Sequence, residues 1–235
     1  MTGSTISLTA PDGTTISAYR AEPDGGVAVA KGGVVVIQEI FGVNGHIRDV
    51  ADRFAAEGWL AVAPALFDRF ETGVELGYDK AGMEKGVGLA WNAEPAQVVR
   101  DIAVAVDAAA AAGRVGVVGF CWGGMLAARC AIELADRSPN SVSAAVGYYP
   151  SRTAQLLLDR TPTAPLMLQV GEHDQGIPLS DVDKIEAAWP DVTVHRYDAG
   201  HGFNCDRRDS FAPEASAQAW QRTLNFFERE LARPT

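Results

Sequence analysis

Residues 115–124 have the sequence VGVVGFCWGG, in which the pattern of a strand passes directly into that of a helix. Its first residues form a continuous apolar run, which is typical of a strand buried on both faces of a parallel sheet. From Gly123 to Ala135 the apolar side chains recur at helical spacing instead. The pattern therefore predicts that a buried strand ends, and a helix begins, within the few residues around Cys121.

This junction matches the G-x-S-x-G pattern of a nucleophile elbow, with Cys121 in place of serine. The turn of such an elbow is tight, so the flanking residues must be small. The nucleophile is then raised above the sheet at the N-terminus of a helix, where the partial positive charge favours a thiolate. The alternative is a buried, unreactive cysteine in a glycine-rich packing turn.

Strands and helices alternate along the rest of the chain, which predicts a mostly parallel central sheet with helices on both faces. Before them, Thr5–Ala10 and Thr15–Glu22 flank a Pro-Asp-Gly turn and predict an N-terminal antiparallel hairpin. Residues 1–235 are expected to form a single α/β domain, and the elbow at Cys121 is the one typical of the α/β-hydrolase fold. The other predicted strands are Gly33–Ile37, Leu60–Ala63, Val115–Gly119, Val142–Tyr148, Leu166–Val170 and Val192–Tyr197. The predicted helices are Gly45–Gly58, Asp79–Ala90, Pro95–Ala112, Gly123–Ala135, Ser180–Trp189 with Ser180 as its cap, and Pro213–Leu231.

Composition narrows the class of protein. The net charge is −10 and no basic stripe is visible, so nucleic-acid binding is not expected. Three cysteines without a C-x-x-C pair indicate neither a disulfide framework nor a thiolate zinc site. The N-terminus lacks the pattern of a signal peptide, and no apolar run approaches the roughly 20 residues of a membrane span. We therefore expect a cytoplasmic protein that does not bind membranes.

A nucleophile needs a base, and the base needs a partner that orients it. His201 lies between two glycines just after a predicted strand, and Asp174 follows the strand Leu166–Val170. Both are expected at the carboxyl edge of the sheet, where open α/β sheets bind ligands. The order Cys121, Asp174, His201 is that of the catalytic triad of α/β-hydrolases. Alternatively, His201 is an ordinary loop histidine and Asp174 a turn former or helix cap.

The other three histidines fit the base less well. His46 lies at a helix start, too early in the chain for the hydrolase order. His195 lies inside a predicted strand, as a packing or surface residue would. His173 is the sequence neighbour of Asp174, and such neighbours seldom have the geometry to hydrogen-bond as base and orienting acid. His201 is therefore the predicted base.

The chain resembles the dienelactone hydrolase family, also called carboxymethylenebutenolidases. The segments that carry the resemblance are QEIFGVN at 38–44, GFCWGG at 119–124, GEHD at 171–174 and GHGF at 200–203. It extends from the strand at Gly33 to the final helix. The resemblance implies hydrolysis of a small ester or lactone through an acyl-enzyme on Cys121. It also implies that no metal or organic cofactor is used.

The resemblance assigns roles to three further residues. Glu39 would hold the thiol in an inactive pose until substrate displaces it, unless it is a structural carboxylate satisfied by backbone donors. The backbone N–H of Trp122, which follows the nucleophile, would form one half of an oxyanion hole. The family places the other donor at the position of Ile40.

The sequence departs from the best-known family members at the expected carboxylate-binding positions. An arginine four residues after the catalytic histidine is replaced by Cys205, with Arg207 and Arg208 close by. A second family arginine has no clear counterpart, although Lys80 or Lys85 could substitute as a point charge. We expect a preference for neutral or differently charged esters. The candidate substrate-contacting residues are Phe41, Phe203, Cys205 and Arg207.

Two other functions are compatible with the same residues. An acyltransferase or thioesterase would use the same triad, because an acyl-enzyme can be intercepted by acceptors other than water. A non-catalytic binding protein on a hydrolase fold is the third hypothesis, since a fold does not prove an activity. An intact triad argues against that hypothesis.

Overall fold

The computed structural model describes residues 3–138 and 140–232. The strands are β1 (Ser4–Thr9), β2 (Thr15–Ala21), β3 (Gly33–Ile37), β4 (Leu60–Pro64), β5 (Val115–Phe120), β6 (Val142–Tyr148), β7 (Leu166–Gly171) and β8 (Thr193–Tyr197). Within the described residues they form one sheet in the order β1-β2-β4-β3-β5-β6-β7-β8. The first hairpin and the β2–β4 pair are antiparallel, and every later pair is parallel. This confirms the predicted mostly parallel sheet with its antiparallel N-terminal hairpin.

Helices pack around this sheet and follow the predicted order. They are α1 (Gly45–Ala56), α2 (Lys80–Asn92), α3 (Pro95–Ala109), α4 (Trp122–Glu133), α5 (Thr153–Leu156), α6 (Leu179–Ala188) and α7 (Pro213–Glu230). The short α5 was not predicted, because four residues carry no recognisable period. The prediction that Ser180 caps α6 is wrong. The helix begins at Leu179 after Pro178, and no side chain caps it.

The core explains why the central strands have such uniform sequences. Every residue of β3, β4 and β5 is buried, so β-branched and small apolar side chains occur without alternation. Because these strands run parallel to β6, β7 and β8, their carboxyl ends meet along one edge of the sheet. The loops at that edge carry the candidate functional side chains.

No helix in the two described stretches has both the length and the apolar character needed to cross a lipid bilayer.

Candidate active site

Cys121 lies in a strained turn between β5 and α4. Its φ of 56° and ψ of −114° are unusual for a residue with a side chain. The turn is tight enough to exclude side chains at two flanking positions: a Cβ on Gly119 would lie 1.9 Å from the Gly123 carbonyl oxygen, and one on Gly123 would lie 2.3 Å from that of Gln38. The glycines therefore permit the approach that the elbow requires.

Hydrogen bonds hold this turn on both sides. The Cys121 N–H donates to the Tyr148 carbonyl at 3.0 Å, and the Cys121 carbonyl accepts from Gly124 at 3.0 Å and Ser151 at 3.2 Å. The Cys121 Sγ also lies 3.4 Å from the Ser151 Oγ. The thiol is partly exposed and thus accessible, unlike that of Cys130, which is buried within α4.

His201 and Asp174 are directly paired. The His201 Nδ1 lies 2.7 Å from the Asp174 Oδ2, while the other carboxylate oxygen of Asp174 accepts the Gly176 N–H at 2.8 Å. The Asp174 side chain has no exposed surface. Because Asp174 uses Nδ1, the His201 Nε2 remains for a second partner.

That second partner is Cys121. Burial by itself lowers the pKa of His201, but hydrogen bonds to Asp174 and Cys121 and the electrostatic influence of these two residues outweigh it. Together they raise the pKa of His201 to about 10. The structure thus brings the three residues of the predicted triad together, with the imidazole between the thiol and the carboxylate.

The residues that carry the two candidate oxyanion donors lie beside the same cavity as Cys121. Ile40, Cys121 and Trp122 line one cavity. Within the described part of the chain, neither the Ile40 nor the Trp122 N–H has a hydrogen-bond acceptor. Trp122 is the first residue of α4, whose initial N–H groups have no partner within the helix. Both donors are therefore free for a ligand.

Glu39 lies just after β3 and is completely buried. Arg208 donates from Nη1 to the Glu39 Oε1 at 3.3 Å, whereas the Glu39 Oε2 has no partner. Burial raises the pKa of Glu39, and the opposing influences of Arg208, His201 and Tyr78 offset this only in part. A carboxylate in this position is energetically costly, because it is removed from water and its Oε2 has no hydrogen-bond partner.

Of the four candidate substrate-contacting residues, three are buried and one is exposed. Phe41 and Phe203 are buried among other aromatic rings, and Cys205 is completely buried. Burial raises the pKa of the Cys205 thiol, which also has a hydrogen bond with Tyr78. Arg207 pairs with Asp49 at an exposed position and is not brought to this cluster.

Arg208, not Arg207, is the arginine that reaches the site. Its guanidinium lies 5.4 Å from the Tyr78 ring centroid and 5.8 Å from that of Phe41, in addition to its contact with Glu39. A Cβ on Gly202 would meet this guanidinium at 2.7 Å. From the sequence, Arg208 is only a residue close to Cys205, because no sequence pattern indicates the direction of a loop side chain.

Two other residues were missed. Ser151 contacts the Cys121 thiol, and the Tyr149 ring packs edge-on against His201 with centroids 5.0 Å apart. The Tyr149 hydroxyl is buried without a partner, and burial raises its pKa well above the usual range, with the charge of Glu39 adding to the effect. Both follow β6, and a strand end at the ligand edge was the only available signal.

Among the residues that the structure describes, one group could hold a metal ion: His46, Cys205 and Asp206. One potential ligand atom from each lies within 4.8 Å of the others. Imidazole, thiolate and carboxylate are all zinc ligands. Here, however, the thiol is kept protonated by burial, and the charge of Arg207 acts on the same histidine. None of these three residues belongs to the Cys121–His201 pair.

The fold, with a cysteine at its elbow and a buried histidine–aspartate pair, defines an α/β-hydrolase. A sequence model of the "Dienelactone hydrolase family" matches residues 16–231. The chain therefore belongs to the dienelactone hydrolase family, as the sequence motifs predicted, and is a carboxylic ester hydrolase.

Individual relatives agree with this assignment. The chain is 36% identical over 230 residues to a protein of Synechocystis sp. named "Putative carboxymethylenebutenolidase", covering 92% of each. A protein of the same name from Azospirillum brasilense is 36% identical over 243 residues, covering 96% of this chain and 98% of its own. A crystal structure described as "Putative Dienelactone Hydrolase", from Klebsiella pneumoniae, superposes with a TM-score of 0.79 at 30% identity. It covers 96% of this chain and 98% of its own.

Proposed function

We propose that the protein hydrolyses a small ester or lactone by covalent catalysis, with Cys121 as nucleophile, His201 as acid and base, and Asp174 as the orienting carboxylate. The observation that carries the proposal is the 2.7 Å contact between His201 and Asp174, which leaves the other ring nitrogen for the Cys121 thiol. A protonated His201 beside Cys121 stabilises the thiolate, which is the nucleophilic form.

The chemical steps follow from these positions. The Cys121 sulfur attacks the carbonyl carbon, and the N–H groups of Ile40 and Trp122 stabilise the oxyanion that forms. The ester C–O bond then breaks, and His201 gives its proton to the departing alkoxide. In a lactone this alkoxide stays attached to the acyl chain. Water, deprotonated by His201, attacks the thioester, and Cys121 leaves as the thiolate.

The experiment is a comparison of cysteine variants on p-nitrophenyl acetate. The parent should release a burst of p-nitrophenol and carry an acetyl group on Cys121 when the reaction is quenched and analysed by mass spectrometry. Cys121→Ala should abolish both signals, and Cys121→Ser should be much weaker, because a hydroxyl ionises far less readily than a thiol. Cys130→Ala is the matched control and should remain active. Full activity of Cys121→Ala would overturn the proposal.

We further propose that Glu39 regulates the thiol and that Arg208 controls Glu39. With Arg208 in place, the Glu39 carboxylate has a guanidinium as its partner. When Arg208 is removed, the unpaired buried carboxylate of Glu39 gains most by accepting a hydrogen bond from the Cys121 S–H. The proton then stays on sulfur, so the thiol is less nucleophilic.

Alkylation by iodoacetamide tests this regulation. Arg208→Met should slow the labelling of Cys121, and Glu39→Gln in the same chain should restore the rate, because the competing carboxylate is gone. Arg207→Met is the matched control, since Arg207 contacts Asp49 instead. Equal labelling rates in Arg208→Met and the parent would contradict the proposal.

A further inference from the structure

A large apolar cavity adjoins the Cys121 thiol. Its volume is about 520 Å³, and it extends from Cys121 and Trp122 to the face of α2 that carries Met83, Val87 and Trp91. Arg129 and Arg152 are the charged residues among its described lining, and Arg129 is already paired with Glu133 at 2.9 Å. The space beside the nucleophile is thus mostly a surface for apolar groups.

The apolar side chains of this cavity are exposed to an unusual degree. In the described part of the chain, eight large hydrophobic side chains are exposed, and four of them line this cavity. Met83, Val87 and Trp91 are 37%, 49% and 72% exposed and recur every four residues, so they form one stripe on α2. Leu156 of α5 is the fourth. A concentrated apolar patch of this kind marks a surface that a ligand covers.

Backbone contacts fix α2 in this position. A Cβ on Gly86 would lie 2.2 Å from the Ile40 carbonyl oxygen, so only glycine lets α2 approach the Ile40 loop this closely. On the opposite side, the Arg152 guanidinium lies 4.9 Å from the centroid of the Trp91 ring. Cation–π attraction at this distance holds the indole against the cavity.

The position of His201 decides which half of an ester enters the cavity. In the proposed mechanism His201 protonates the leaving oxygen, so the alcohol half must lie beside His201. His201 does not line the cavity, whereas Cys121, Ile40 and Trp122 do. The acyl half, which is bonded to the Cys121 sulfur in the intermediate, therefore points into the cavity.

We infer that the natural substrates are esters or lactones with an extended apolar acyl group, which lies along the Met83–Val87–Trp91 stripe. This inference rests on the proposed nucleophile and deepens it by naming the substrate class. A buried methylene contributes about 0.8 kcal/mol, and about 1.4 kcal/mol corresponds to a factor of ten. Each methylene that enters the cavity should thus raise kcat/KM about two- to fourfold.

The test is a series of p-nitrophenyl esters from acetate through butyrate and hexanoate to octanoate. For the parent, kcat/KM should rise along the series until the acyl chain fills the cavity. Trp91→Ala should lower the hexanoate-to-acetate ratio about tenfold by removing one wall. Ala90→Trp should lower it by filling the space. Phe70→Ala removes an exposed aromatic ring outside the cavity, and should leave the ratio unchanged.

The outcomes separate this inference from the proposed function. Activity on acetate that depends on Cys121, together with a flat chain-length series, would overturn the inference and leave the proposed triad intact. Activity that survives in Cys121→Ala would overturn both. If size-exclusion chromatography shows that Trp91→Ala dissociates a dimer while the chain-length series stays flat, the stripe is an interface between copies of the chain, and the inference is again overturned.

Discussion

Two largely buried histidines, His46 and His201, have opposite acid–base properties. Burial lowers the pKa of His46 to about 4, although Asp206 lies 3.9 Å away. The pKa of His201 is raised to about 10, although burial by itself would lower it too. The difference lies in the partners. The carboxylate of Asp174 is itself buried and lies 2.7 Å from His201, whereas that of Asp206 is 66% exposed.

Burial alone therefore does not decide the charge of a histidine. A charge removed from water is retained only if a close, equally desolvated partner replaces the lost hydration. Asp206 remains hydrated, so its attraction for an imidazolium is screened. His46 is thus neutral at physiological pH and suited to packing, while His201 is positively charged and suited to stabilising a thiolate.

The largest effect is expected for His201→Gln. Removing the acid and base of the proposed triad should lower kcat by about 10⁵-fold or more, as removal of a catalytic histidine does in comparable triads. Steady-state kinetics on p-nitrophenyl acetate measures this loss. His46→Gln provides the comparison and should retain activity. The assignment of the base fails if these two results are exchanged.

A smaller loss is expected for Asp174→Asn. The asparagine amide has nearly the shape of the carboxylate but no charge, so His201 keeps a neighbour and loses its charged partner. We expect kcat to fall about 10³–10⁴-fold. The pKa of His201 should also fall from about 10, because the hydrogen bond that His201 donates to Asp174, which raises this pKa, is weakened. The alkaline limb of the pH–rate profile reports this shift and should move to lower pH. An unmoved limb would show that Asp174 does not control His201.

His46 should make the protein sensitive to acid. Its pKa is lowered in the folded state, so the unfolded chain binds a proton first as the pH falls below about 6.5. The free energy of unfolding is therefore highest above about pH 6.5. It falls by about 3 kcal/mol as the pH is lowered to about 4. Urea unfolding at a series of pH values should show a shallower loss for His46→Gln. Identical pH dependences for the variant and the parent would contradict the neutral, buried state of His46.

The smallest effect is expected for His173→Gln. This residue precedes Asp174 in the sequence but points to the surface, where its Nε2 lies 2.5 Å from Asp198. Both side chains are mostly exposed, and such surface pairs contribute little. Activity and melting temperature should stay within experimental error of the parent values. A large loss of kcat would mean that the wrong histidine of this loop region has been assigned to catalysis.

The fold was predictable from sequence because it rests on strong, local patterns. The uniformly apolar β3 and β5, and the glycines at the elbow, each have few structural alternatives. The order of Cys121, Asp174 and His201 was sufficient to predict their convergence, because parallel strands bring their carboxyl ends to one edge. Patterns that extend over a whole strand can thus be recognised from the sequence alone.

The rest of the site depends on single side chains in loops. Nothing in the sequence distinguishes Arg207, which turns to Asp49, from Arg208, which turns to Glu39. Ser151 lies in a turn in which Tyr149 and Arg152 have positive φ, and this turn brings it to the thiol. The residue types of Tyr149 and Arg152 do not indicate this conformation. These features are set by packing between distant segments, which no local pattern records.

The buried positions of α2 are occupied by glycines, and this has a consequence for turnover. The buried residues of α2 are Gly82 and Gly86, so this helix gains little from burying side chains. Local opening of α2 should therefore cost far less free energy than opening of the central sheet, and its amides should exchange with solvent correspondingly sooner. In the inferred binding mode, the apolar tail of a carboxylic acid product lies against this helix, so opening of α2 would uncover the product to solvent.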